Sequence, residues 1–299
     1  MHQTVTRSAA VTRSRVGAFV ALTKPRIIEL LLVTTVPTQV VAAQGLPPLH
    51  LVIWTVLGGT LAAGGANAFN MVVDRDIDRL MARTRNRPLV TGEVTAREAL
   101  IFAFVLEVLA FALLWTAVNL LSAVLAVAAC LFYVFVYTIW LKRSSTSNIV
   151  IGGAAGAVPV LVGWASITGS LDWAPLILFG IIFYWTPPHF WALAIRYRED
   201  YQAADVPMLP AVSSLRTTAL RIVGYTVLLW ALTLLFSPVA GMGGLYLTAA
   251  ILLGGWYLWL AIKLLRSPTP ELAMRMFTWS ITYITLLFGV MALDELIRT

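Results

Sequence analysis

Long apolar runs, each about the length of a bilayer, alternate along this chain with polar breaks. Nine can be drawn, roughly at 27–45, 51–72, 98–118, 120–140, 148–168, 174–194, 217–237, 244–264 and 273–293. A helix needs about 20 mostly apolar residues to cross the hydrocarbon core. The pattern therefore predicts an all-α polytopic membrane protein of nine transmembrane helices around a central cavity. The breaks at 45–50, near Asn119, at 168–172 and at 237–244 are short and nearly uncharged. Those at 74–97 and 196–216 are long and charge-rich, the kind of connection that tends to act as a functional lid. Thr95-Ala-Arg-Glu98 is a capping-box pattern that starts the third span afresh, and Asp172 stands ready to cap the sixth. The charged breaks follow the second and sixth runs, so a pseudo-repeat of about four helices with a ninth added is expected, the acidic ends of helices 2 and 6 facing one another. No linker rich in Gly, Ser or Pro divides the chain, so 1–299 reads as one domain, with 1–20 a cytoplasmic tail.

Composition agrees with this reading. The chain is 60% hydrophobic and 12% charged, with a mean hydropathy of +0.85, which excludes an ordinary soluble domain. Its single cysteine, Cys130, allows neither an intrachain disulfide nor a cysteine-based metal site. The net charge of +7 raises the question of nucleic acid, but the distribution answers against it. Of the 21 basic residues, all but Arg298 fall in the N-terminal region and in alternate loops. Basic loops stay on the cytoplasmic side, so the N-terminus is expected in the cytoplasm and the C-terminus outside, in the inner membrane of the cell.

The chemistry begins where the second run ends. Asn70, Asp74 and Asp78 form an N-x-x-x-D-x-x-x-D run, NMVVDRDID. If the helix continues through it, steps of four residues turn the side chains only about 40° each, leaving all three on one stripe about 12 Å long. Carboxylates at a membrane helix end are costly to desolvate and need a partner. A hard, oxygen-seeking cation such as Mg²⁺, which brings phosphate oxygens with it, suits them. Arg79, Arg83 and Arg87 follow, and guanidinium groups suit a diphosphate bound as its metal complex. Asp76, about 240° round the helix from Asn70, reads as solvated or salt-bridged.

The second charged break opens with Arg196-Tyr-Arg198-Glu199-Asp200-Tyr201. Asp200 can supply a further metal-binding carboxylate there, with Glu199 or Asp205 in support. A loop ion-pair network is the structural alternative. Lys142-Arg143 and Lys24/Arg26 are equally readable as phosphate contacts or as topology anchors. His189, in Tyr184-Trp-Thr-Pro-Pro-His189-Phe-Trp191, follows a double proline that must distort its helix. It can line the cavity, ligate iron or hydrogen-bond a freed carbonyl. Glu29 and Glu107, inside apolar runs, read as substrate contacts or interhelical hydrogen bonds. Tyr133 and Tyr137 can flank a developing carbocation or pack as an aromatic belt.

With these residues in view, the chain resembles the UbiA superfamily of intramembrane aromatic prenyltransferases, and within it the haem-farnesylating branch. The resemblance covers nearly the whole length. It is carried by Leu22-Thr-Lys24-Pro25-Arg26, by Asn70/Asp74/Asp78 with Arg83-Thr84-x-x-Arg87-Pro88, and by Tyr137-Thr-x-x-Leu141-Lys142-Arg143 before Asn148. Pro188-His189 and Asp200-Tyr201 leading to Met208-Leu209-Pro210 complete it. It implies a UbiA-like fold, and transfer of a farnesyl group from farnesyl diphosphate to haem B with addition of water. Mg²⁺ would be held by Asn70, Asp74, Asp78 and Asp200. The diphosphate would meet Arg26, Arg83, Arg87, Lys142 and Arg143, while His189, Arg196, Tyr133, Tyr137 and Asn148 would border the haem. Many members carry two Asp four apart in the second motif. Here Arg196 takes the first position, which departs from a symmetric metal site and offers a cation for a haem propionate. A haem A synthase or an oxidase-assembly protein is the partner this branch brings to mind. The alternatives are a sister enzyme acting on a quinone precursor, for which helix 5 with Gly152, Gly153 and Gly156 would be needlessly roomy, and a transporter. The latter expects charges near the bilayer midplane.

Overall fold

A computed structural model describes residues 13–298, except for the side chains of Arg26, Ile27, Glu29, Leu30 and Leu31. The expectations for residues 1–12 and for the side chains of Arg26 and Glu29 lie outside the described residues. Among the described residues the chain is helical, without strands. In order come α1 (Arg15–Thr23), α2 (Pro25–Ala42), α3 (Leu49–Val73), α4 (Arg75–Leu80), α5 (Pro88–Thr91), α6 (Ala96–Ala117) and α7 (Leu120–Leu131). A π-helical segment, Phe132–Leu141, continues α7 into α8 (Lys142–Ser144). Then follow α9 (Asn148–Thr168), α10 (Trp173–Arg196), α11 (Arg198–Ala203), α12 (Leu209–Val212), α13 (Leu215–Val239), α14 (Gly244–Arg266) and α15 (Pro270–Arg298).

Local signals explain several starts. Thr95 and Glu98 close the expected capping box, Asp172 accepts from the Ala174 amide at 3.0 Å, and Asn119 accepts from Ser122 at 2.8 Å. Each satisfies amides that the helix leaves orphaned.

Eight helical stretches among the described residues are long and apolar enough to cross a membrane: α3, α6, α7 through α8, α9, α10, α13, α14 and α15. The ninth expected span corresponds to α2, an 18-residue helix whose described apolar part is Leu32–Ala42. This is a multi-pass membrane protein. Bulky apolar side chains such as Phe104, Phe135, Trp140 and Leu252 are exposed, as lipid-facing positions require.

Two expectations need correction. The stretch 1–20 is not simply a tail, because α1 begins at Arg15 and buries Ala18 and Leu22 against Ala68, Met71 and Leu89. The Pro187–Pro188 pair does not break its helix, since α10 runs unbroken from Trp173 to Arg196. Each proline removes one backbone donor, so the Phe183 and Tyr184 carbonyls lack the amide four residues on.

The two charged connections belong to one packed unit. Ile77 and Met81 from the first share a buried cluster with Tyr201, Val206, Met208 and Leu209 from the second, and with Trp185 and Trp191 of α10. Burial of this size, at about 25 cal/mol per Å² of apolar surface, fixes both connections over the same end of the helices.

Candidate active site

The stripe survives folding. α3 ends at Val73 and α4 begins at Arg75, yet the four-residue ladder is kept: the Asp74 amide donates to the Asn70 carbonyl and the Asp78 amide to the Asp74 carbonyl, both at 2.9 Å. Asn70, Asp74 and Asp78 are all buried, so their partners carry the cost of desolvation.

Those partners come from three other places in the chain. The Lys24 ammonium donates to Asn70 Oδ1 at 2.6 Å. Asn70 Nδ2 donates to Asp74 Oδ2 at 2.8 Å and to Thr138 Oγ1 at 3.1 Å. Lys142 is ion-paired with Asp74 Oδ2, and Arg87 Nη1 meets Asp78 Oδ2 at 2.6 Å. Burial, with Arg87 and Lys142 close by, pulls the Lys24 ammonium down to about 7. Asp74 Oδ1 is buried without a hydrogen-bond partner among the described residues.

The π-helix explains how one segment delivers several of these groups. The Thr138 hydroxyl donates to the Tyr133 carbonyl at 2.8 Å, five residues back, within a stretch wound more widely than an α-helix. Such segments concentrate at functional sites. This one sets Tyr133 and Tyr137 in a stack, centroids 5.4 Å apart and planes 16° from parallel, and brings Thr138 and Lys142 to Asn70 and Asp74. Tyr133 and Tyr137 are both half-buried. Sequence reading missed the π-helix, for which only the aromatic run FYVFVY gave a trace.

The second connection faces the first. The Arg83 guanidinium lies 5.6 Å from the centre of the Tyr197 ring. Burial raises the Tyr201 hydroxyl, with Asp200 and Asp74 pushing the same way and Arg83 and Arg87 opposing. Tyr201 thus feels charges from both acidic ends. Asp200 is half-buried, whereas Glu199 and Asp205, named as its support, are exposed.

Other expectations are redistributed. Arg143 grips Asp76 with two hydrogen bonds of 2.7 Å and the Val73 carbonyl at 2.9 Å. It borders a surface crevice of about 490 Å³ with Val72, Arg75 and Leu100, not the buried stripe where a diphosphate contact was expected. That bond holds the Asp76 carboxyl down at about 2. Arg196 is exposed. His189 Nδ1 pairs with Ser280 Oγ at 2.6 Å, and its ring lies 4.3 Å from Trp185 and 4.6 Å from Phe277. Gly152 and Gly153 do not make α9 roomy. A Cβ on Gly152 would collide with the Tyr137 ring, and one on Gly153 would stand 2.9 Å from Thr186. They serve close helix packing. Asn148 is fully buried with neither amide atom partnered among the described residues.

The arrangement presents oxygen ligands beside ammonium and guanidinium groups, above stacked aromatic rings. Among the described residues no three His, Cys, Asp or Glu side chains cluster as a ready metal cage. The donors are instead two carboxylates and an amide, one carboxylate oxygen being unpartnered, which fits a hard cation that keeps oxygen ligands from elsewhere.

Known proteins share this sequence and shape. A protoheme IX farnesyltransferase of Leifsonia xyli subsp. xyli is 52% identical over 286 residues, covering 95% of this chain and 93% of its own. Another, from Streptomyces avermitilis, is 52% identical over 291 residues, covering 95% of each chain. Among solved structures, a digeranylgeranylglyceryl phosphate synthase superposes with a TM-score of 0.78 at 17% identity, over 94% of this chain and 99% of that one. A UbiA homolog from Archaeoglobus fulgidus bound to GPP and Mg²⁺ gives 0.66 at 18% identity, over 92% and 99%. Residues 31–286 match the UbiA prenyltransferase family, and the chain belongs to that family.

Proposed function

We propose that this protein transfers the farnesyl group of farnesyl diphosphate to the 2-vinyl group of haem B, with addition of water, giving haem O. The observation that carries the reading is the buried Asn70–Asp74–Asp78 stripe with Lys24, Lys142 and Arg87 gathered on it. The identity of about half the residues to protoheme IX farnesyltransferases, along nearly the full length, supports the acceptor.

Asn70, Asp74 and Asp78, with Asp200 from the facing connection, would hold Mg²⁺; a bound Archaeoglobus relative contains that ion with a prenyl diphosphate. When bound, the cation neutralises charge growing on the departing diphosphate. The remaining work falls to the chain. Lys24, Lys142 and Arg87, already gathered on the stripe, turn to phosphate oxygens as the cation takes over the carboxylates, so they need little movement to reach the departing group. Arg83, on the first connection and set over Tyr197 of the second, closes the same group. As the allylic carbon–oxygen bond breaks, the π faces of Tyr133 and Tyr137 stabilise the cation. The apolar interior keeps water away from it. The vinyl carbon forms the new carbon–carbon bond, the resulting cation takes hydroxide from water, and the proton leaves to solvent. No side chain is assigned as general base.

By the arginine distribution the site opens to the cytoplasm, the N-terminus lies there and the C-terminus outside. The test is mass analysis of the products after incubation of purified protein with farnesyl diphosphate, haem B and 4-hydroxybenzoate. Haem O is expected. Unchanged haem B alongside a prenylated 4-hydroxybenzoate would move the protein to the quinone branch.

A further inference from the structure

The second connection carries two arginines two residues apart, and the structure separates them. Arg196 ends α10 and is exposed. Arg198 opens α11, is half-buried, and its Nε is enclosed without a hydrogen-bond partner among the described residues. It also enters no ion pair among them. Helix spacing sets its direction: Arg198 and Tyr201 are three apart on α11 and share one face, the face that buries Tyr201. Glu199 and Ala203 hold the exposed face, and Gln202, one turn on from Arg198, is exposed as well, so Arg198 stands at the rim between the buried and the exposed side. From that rim its enclosed Nε turns to the buried side of the second connection, next to Tyr201 in the chain.

An enclosed guanidinium N–H without an acceptor is costly, and its natural complement is a planar carboxylate held by two parallel hydrogen bonds. The three cations on the stripe are already committed to the diphosphate region, so Arg198 is free for a second anionic group. The acceptor proposed above has two such groups, the propionates, on the macrocycle edge away from the vinyl groups. Charged carboxylates also avoid hydrocarbon and stay at the polar rim, where α11 lies.

We infer that Arg198, rather than Arg196, is the specificity-determining residue that binds a propionate of the porphyrin and so orients the vinyl edge toward the allylic carbon. This rests on the haem reading of the site.

The test compares haem B with its dimethyl ester, in the full-length protein and in Arg198→Gln and Arg198→Lys. Wild type is expected to prefer the free acid in kcat/KM by about tenfold or more, the scale of a hydrogen bond to a charged group. Arg198→Gln should erase that preference while the KM for farnesyl diphosphate stays put, and Arg198→Lys should restore part of it. A wild type indifferent to esterification overturns the inference however the variants fold. So does an Arg198→Gln variant that still discriminates. If wild type farnesylates neither porphyrin, the haem reading itself has failed.

Discussion

Lys24 and Asn70 lie 46 residues apart in the chain and are joined by a 2.6 Å hydrogen bond. Lys24 reaches Asn70 from the joint between α1 and α2, where its backbone is left-handed (φ 53°). A side chain other than glycine costs about 1–3 kcal/mol in that conformation, a strain found at functional sites. Lys24→Met should keep expression and helix content and weaken farnesyl diphosphate binding by about tenfold or more, the scale of a charged hydrogen bond. Equilibrium binding of the diphosphate reads this directly; an unaltered affinity would reduce Lys24 to an internal prop.

Asp74 and Asp76 are two residues apart with opposite surroundings. Asp74 is fully buried and bound to Asn70 and Lys142, whereas the Asp76 side chain is 62% exposed and bound to Arg143. Asp74→Asn should abolish turnover with circular dichroism unchanged. Asp76→Asn should leave turnover near wild type and shift stability by less than about 1 kcal/mol, as for exposed ion pairs. Equal losses in the two variants would contradict the assignment of the site to the buried stripe.

The glycines of α9 make a separate prediction. Gly152→Ala drives a methyl group into the Tyr137 ring, and no atom stands within 4 Å of a Cβ at Gly156. The first change should cost about 1–3 kcal/mol, as overpacking does, and disturb the Tyr133–Tyr137 stack, lowering turnover. Gly156→Ala should be silent. Thermal unfolding of both variants, alongside activity, checks the pair.

Metal removal separates the cation from the fixed charges. Exhaustive chelation should stop diphosphate release, and Mg²⁺ should restore it, while thermal stability changes little because Lys24, Lys142 and Arg87 already neutralise the stripe. Full turnover in chelator would remove the divalent ion from the proposal.

Much of this was legible in the residue order. The spans, the two charged connections, and the Asn70–Asp74–Asp78 stripe follow from hydropathy and four-residue spacing, because helices repeat regularly and membranes leave them few alternatives. The choice among cations was not legible. Arg143 turned to Asp76 and Lys142 to Asp74, adjacent residues parted by the exit angle of a π-helix that hydropathy cannot register. Arg196 and Arg198 were parted by the turn at Tyr197, where α10 stops and α11 starts in a new direction. His189 was read for its chemistry, while its neighbours Ser280 and Phe277 lie on α15, about ninety positions later.

The helix before Lys24 is stitched to the first charged connection. Arg13 bonds the Asn86 carbonyl and Glu93, and Arg15 pairs with Glu98. The segment from Arg13 to Thr23 is thus a strut between the first charged connection and the joint that carries Lys24. A deletion that reached Arg13 or Arg15 would slacken both that connection and the left-handed joint at Lys24, two places that hydropathy alone would treat as unrelated.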